Sequence, residues 1–164
     1  MSEAPAAASN TRVHLDLALH PDDAAAVWRA PALAQLRGGA RLRSTKLSLT
    51  WHDGAARELS ASGLVLARQQ KGTRAAWRLE RMRPERGEDW LPAAAAPVVA
   101  EASAPEGLGT AIPRKLVALA SFEGMARSFA LPHDAALEAV GLQAGTLRAN
   151  DGERRACRLL LAGP

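Results

Sequence analysis

The strongest constraint on this chain is a repeat of period two. From Lys46 to His52 the alternation is strict, with Leu47, Leu49 and Trp51 set against Lys46, Ser48, Thr50 and His52. Successive side chains of a strand point to opposite faces, so this pattern predicts a half-buried β-strand within Arg41 to His52. Arg12 to Leu19 alternates in the same way: Val13, Leu15, Leu17 and Leu19 point to one face, and His14, Asp16 and Ala18 to the other. Further strands are predicted at Leu64 to Gln70 and Thr73 to Met82, the latter with Trp77, Leu79 and Arg81 opposite Arg78, Glu80 and Met82. Asp53-Gly54, Lys71-Gly72 and Asn150-Asp151-Gly152 are turn signals between such runs.

One early helix interrupts the pattern. His20-Pro21-Asp22-Asp23 places proline and two acids where a helix start favours them, and the helix should run through Ala24 to Arg29. Pro31 breaks it, and a second short turn over Ala32 to Leu36 ends at Gly38-Gly39. Alanine is abundant and arginine far exceeds lysine, as GC-rich coding produces, so alanine runs carry little helix information here. Were Ala24–Val27 and Ala135–Val140 longer helices, an α+β sandwich would result.

Residues 1–11 read as a disordered lead-in and 12–164 as one domain, with an irregular Pro/Ala-rich segment at 84–113 anchored by Trp90. Later strands are predicted at Lys115–Ala120, Ser128–Leu131, Ala136–Leu142, Thr146–Ala149 and Ala156–Leu161. About eight strands with one helix predict a mainly β (α+β) fold, a closed antiparallel barrel or tunnel, because closure removes exposed sheet edges.

The 164 residues carry 21 basic and 17 acidic side chains, a net charge of +4 that suits anionic ligands without requiring nucleic acid. With no tyrosine and two phenylalanines, a stacking platform for single strands is poorly supplied, and nucleic acid is an unfavoured partner. No apolar run approaches the roughly 20 residues of a membrane span, and Met1 to Asn10 lacks the form of a secretory signal, so a cytoplasmic location without membrane contact is expected. The single cysteine, Cys157, excludes an internal disulfide and reads as a buried thiol in an apolar strand.

The order of these pieces resembles the CYTH domain, the family of triphosphate-tunnel enzymes. Trp51-His52-Asp53, then Leu59, Gly63 and Leu66, follow that family's spacing. Trp77 and Glu88-Asp89-Trp90 correspond to its tryptophan strand and the acidic-aromatic stretch after it. Gly145-Thr146-Leu147 and Ala156 to Leu161 correspond to its last two strands. The resemblance covers Arg12 to Leu161 and implies the tunnel fold. Residue by residue, it also implies that the catalytic set is degraded. The family's Glu-x-Glu-x-Lys falls on His14 to Ala18, keeping only Asp16 as a metal carboxylate. Its two tunnel arginines fall on Ala67 and Gln69, its strand lysine on Met82 or Arg81, its final-strand glutamates on Arg158 and Leu160, and its hairpin acid on Gln143. Hydrolysis of a triphosphate needs several oxygen ligands for divalent ions as well as cations for the phosphates, and one carboxylate is too few.

The expected function is therefore a non-catalytic CYTH-like module that binds a polyphosphate- or triphosphate-like anion or a protein partner. Arg78, Arg81, Arg158 and Lys71 are the candidate anion-binding residues, with no cofactor. The alternative is a divergent triphosphatase or phosphohydrolase using Mg or Mn, with His14, Asp16 and Glu80 as weak metal candidates and Glu138 as a further carboxylate. A basic nucleic-acid-associated protein is the third reading. Inward-pointing Arg78 and Arg158 must bind an anion or pair with Glu80 and Asp16, because an unanswered buried guanidinium is prohibitive.

Overall fold

In the computed structural model, the structure describes residues 14–81, 98–109, 112–132 and 137–163, with His14 described by its backbone alone. The chain runs through β1 (His14–Leu19), a 3₁₀ turn (Pro21–Asp23), α1 (Ala24–Trp28), α2 (Pro31–Arg37) and β2 (Arg43–Gly54). It continues through α3 (Glu58–Ala61), β3 (Leu64–Lys71), β4 (Arg74–Arg81) and β5 (Val98–Ala102). A second 3₁₀ turn (Pro105–Leu108), β6 (Leu116–Ala130), β7 (Ala139–Ala149) and β8 (Gly152–Ala162) complete it. The expected disordered lead-in, Val13, Met82, Trp90, His133 and most of the expected irregular segment lie outside the described residues.

All eight strands form one sheet in the order β1-β8-β7-β6-β2-β3-β4-β5, every pairing antiparallel. The sheet curls. Four strands separate β8 from β4, about 24 Å in a flat sheet, yet Arg158 of β8 acts electrostatically on Glu80 of β4. The inner face is filled at one end by Leu47, Leu49, Trp51, Phe122 and Leu147, all nearly inaccessible. The outer face carries two further cores. One packs α1 and α2, through Val27, Trp28 and Leu33, on Phe129, Val140, Leu142, Cys157 and Leu159. The other gathers Leu59 of α3 and Leu108 with Leu66 and Leu79.

The expected closed barrel is not what forms. Among the described residues, β1 and β5 end the sheet without pairing to each other. They have only six and five residues, and β5 slips register between Leu79 and Glu80, so neither offers a long regular edge. The inner face is joined across by side chains instead.

Two local expectations are also corrected. Lys115–Ala120 and Ser128–Leu131 belong to the single 15-residue β6, and Ala136–Leu142 and Thr146–Ala149 fall on the single β7. Both long strands run through glycines that are paired with each other, Gly124 and Gly145. Asp53-Gly54 closes β2 and leads into α3 rather than making a two-residue hairpin. In β1 Leu15 and Leu17 are 51% and 44% exposed, whereas the Asp16 side chain is only 6% exposed, so the polar face of the strand is the inner one.

Asp53, 1% exposed, anchors α3. Its carboxylate accepts hydrogen bonds from the backbone N–H of Gly54 (2.7 Å), Leu59 (2.9 Å) and Ser60 (3.1 Å), and from the Ser60 hydroxyl. Burial alone would raise its pKa, but these four donors outweigh it and hold the carboxyl below its ordinary value. A group with a depressed folded pKa contributes stability above its unfolded pKa and loses it as pH falls through the folded value. Asp53→Ala should therefore cost about 3 kcal/mol near neutral pH in urea unfolding, and that difference should shrink in strong acid.

Gly124 and Gly145 are required for a different reason. A Cβ on Gly124 would lie 2.3 Å from the Ala144 carbonyl oxygen, and one on Gly145 2.1 Å from that of Glu123. The obstruction is backbone, so β6 and β7 would have to separate. Gly124→Ala or Gly145→Ala should each lower stability by about 2 kcal/mol or more in denaturant unfolding. Gly54→Ala should cost less, because its Cβ meets only the movable Glu58 carboxylate.

Candidate functional site

The inner face beside the apolar filling carries a polar seam. Arg158, 5% exposed, donates from Nε to Gln143 Oε1 (2.8 Å) and from Nη1 to Asp16 Oδ2 (3.3 Å). It thereby ties β8 to β7 and β1. On the far half of the sheet, Arg78 donates from Nη1 to Gln69 Oε1 (2.9 Å), and its Nε lies 3.4 Å from Glu80 and 3.6 Å from Glu101. Those two contacts are Coulombic rather than formed hydrogen bonds. Arg78 thus ties β4 to β3 and β5. Glu80, 8% exposed, faces both guanidinium groups.

The strand register explains the gathering. Asp16 lies opposite Leu160 and Ala18 opposite Arg158, while Gln143 pairs with Arg158 and Ala67 with Arg78, so all these positions share the inner face. Small residues at Ala67 and Ala18 leave room for the long arginine side chains. Arg81 does not join them. It lies one residue past Glu80 on the outer face and is exposed. Lys71 is exposed at the β3–β4 hairpin, paired in register with Arg74 and four residues along the strand from Ala67. The backbone of His14 pairs with Ala162. The four candidate cations therefore form no single convergent cluster.

The residues present do not fit the divalent ions that the resemblance implies. Asp16 is engaged by a guanidinium, Glu80 lies between two, and no group of three or more His, Cys, Asp or Glu able to hold a metal occurs among the described residues. A cation placed there would meet Arg158 and Arg78 at the positions where it needs oxygen ligands.

Other candidates take structural places. His20 accepts a hydrogen bond from the Asp22 N–H at the first 3₁₀ turn, as a cap. His52 is half-buried in β2 with its ring 5.0 Å from that of Trp77, and burial lowers its pKa. Cys157 is buried in the outer core, which pushes its thiol pKa up. The sequence reading did not single out Gln69, Gln143 and Glu101 as a set. Their signal was the inner-face parity they share with Arg78 and Arg158.

Burial raises the Glu80 pKa. The charges of Arg78 and Arg158 pull it back down, and Glu101 adds to the rise. An acid with a raised folded pKa contributes stability that is present below its unfolded pKa and is lost as pH rises through the folded value. Glu80→Gln, which imitates the protonated acid, should therefore be more stable than the parent at alkaline pH, the difference vanishing in acid. Thermal melts across pH check this; a variant less stable than the parent at alkaline pH contradicts it.

No family model matches the chain, and no curated protein matches it. Solved structures do. A protein from Bacillus halodurans described as a candidate adenylate cyclase is 8% identical, with a TM-score of 0.49 over 93% of this chain and 80% of its own. PH1819 from Pyrococcus horikoshii OT3 is 8% identical, with a TM-score of 0.47 over 93% and 77%. HpAC1 from Hippeastrum, described as a candidate adenylyl cyclase with a dominant triphosphatase activity, is 12% identical, with a TM-score of 0.55 over 92% of this chain and 79% of its own. The chain shares with HpAC1 its overall fold.

Proposed function

We propose that this chain is a non-catalytic interaction module of CYTH-like fold, whose inner face is a packed structural interior and whose outer surface carries its function. One observation supports this reading above the rest. The inner face is filled by Trp51, Phe122 and their leucine neighbours, and its two arginines are answered by carboxylates and amides of the same sheet. Within the seam, two guanidinium groups face three carboxylates, Asp16, Glu80 and Glu101. That balance does not favour a polyanion. A triphosphate entering here would have to displace Asp16 from Arg158 and would meet Glu80 and Glu101 directly.

HpAC1 is described as a triphosphatase. Carrying that activity to this chain would require cation ligands that the inner face lacks among its described residues. A cytoplasmic location accords with this reading, and no helix among the described residues is long and apolar enough to cross a membrane.

The test is calorimetric titration with tripolyphosphate, with and without magnesium or manganese, followed by a phosphate-release assay on the same samples. The expected result is neither saturable heat nor phosphate release. Metal-independent binding without turnover, lost in Arg78→Gln, would replace this reading with anion recognition at the seam. Metal-dependent release of phosphate would overturn it and establish a phosphohydrolase.

A further inference from the structure

The two ends of the sheet are not alike. At β5 the edge is blunted in the ways proteins use against edge-to-edge pairing: the strand is five residues long, its register slips at Leu79/Glu80, and it carries Glu101. β1 is also short and carries one acid, but its register with β8 does not slip, and Asp16 is turned inward onto Arg158. His14–Leu19 holds a continuous register with β8 and contains no lysine, arginine, proline or glycine. Its outer face presents Leu15 and Leu17, half exposed, beside Leu161 and Leu159 of β8. Among the described residues, no strand pairs with its far edge.

We propose that β1 is a self-association edge, pairing antiparallel with β1 of a second copy about a two-fold axis through Leu17. Symmetry, charge and the number of leucines covered favour a second copy in this register. Residues opposite each other in an antiparallel pair lie on the same face, so a two-fold axis must pass through a residue. Centred on Asp16, the pair would set two carboxylates against each other, which is destabilising. Centred on Leu17, it sets Leu17 against the partner's Leu17, Leu15 against the partner's Leu19, and Asp16 against the partner's Ala18. The leucines left open on each copy then cover one another on the outer face, and the two sheets join into one. Such an isologous contact needs no further surface to be complementary. It is independent of what the inner face binds.

One strand's length of contact falls below the roughly 1,200–2,000 Å² of stable complexes, so association in the micromolar range is expected. The experiment is sedimentation equilibrium of the full chain at concentrations from roughly 1 μM to 1 mM, with hydrogen exchange at both extremes. The mass should rise toward that of a dimer, and the β1 amides should become more protected with concentration. Leu17→Lys, at an exposed site, should keep the melting temperature and weaken association by tenfold or more. Val117→Lys, at an exposed position on β6, should leave association unchanged. A monomer at every concentration overturns the proposal. If the β1 amides of that monomer are slow to exchange, the edge is covered by the chain itself. A dimer that Leu17→Lys leaves intact overturns the proposal equally, and assigns the contact to another surface.

Discussion

Two guanidinium groups on the inside of a small curled sheet dictate much of what surrounds them. Neither can stay charged in that setting without oxygen partners, and the partners come from neighbouring strands: Asp16 and Gln143 for Arg158, Gln69, Glu80 and Glu101 for Arg78. Each arginine therefore spans three strands. Glu80 lies 3.4 Å from Arg78 and also feels the charge of Arg158 from the other half of the sheet. The apolar filling of Trp51, Phe122 and the leucines closes the remaining interior, so the curl is held by packing at one end and by charge at the other.

This arrangement also bears on chemistry. A site that hydrolyses phosphate esters with metal ions keeps carboxylates open to the ion and cations open to the phosphate. Here the two kinds of group are spent on each other. Arg158 is held by Asp16 and Gln143, so its guanidinium is answered from β1 and β7. Gln143 and Gln69, where the resemblance places an acid and an arginine, serve as neutral acceptors that orient the guanidinium groups. Both guanidinium charges are answered within the sheet, in a chain that shares its overall fold with HpAC1 at 12% identity.

Much of the architecture was legible because period-two alternation survives wherever one face of a strand is apolar, as at Leu47, Leu49 and Trp51. The resemblance sets Arg78 and Arg158 on the inner face with either an anion or Glu80 and Asp16 as partners, and the structure pairs them with those carboxylates. Strand continuity was not legible. Gly124 and Gly145 look like breaks in a one-dimensional reading, and only the facing strand shows that they permit a close approach. Alternation in β1 separates a leucine face from a polar one without saying which is inner; the contact of Asp16 with Arg158 makes it the polar face. Closure of the barrel was an argument about edges in general, and it could not foresee that this sheet joins its halves through side chains. Nor does parity distinguish an arginine awaiting a ligand from one already satisfied; that depends on partners as distant as Asp16 and Arg158.

That last pair also has a consequence in time. Asp16 and Arg158 lie 142 positions apart, and β1 pairs with no described strand except β8. The hairpins β3–β4 and β7–β8 can form as soon as their own residues are available, but β1 has no neighbour until the final strand exists. During synthesis from the N-terminus, the first strand made is thus the last to be placed. Throughout that interval Leu15, Leu17 and Leu19 remain open to solvent, and the acid they flank has no counter-ion from β8. Placement of β1 therefore waits on the last strand of the sheet.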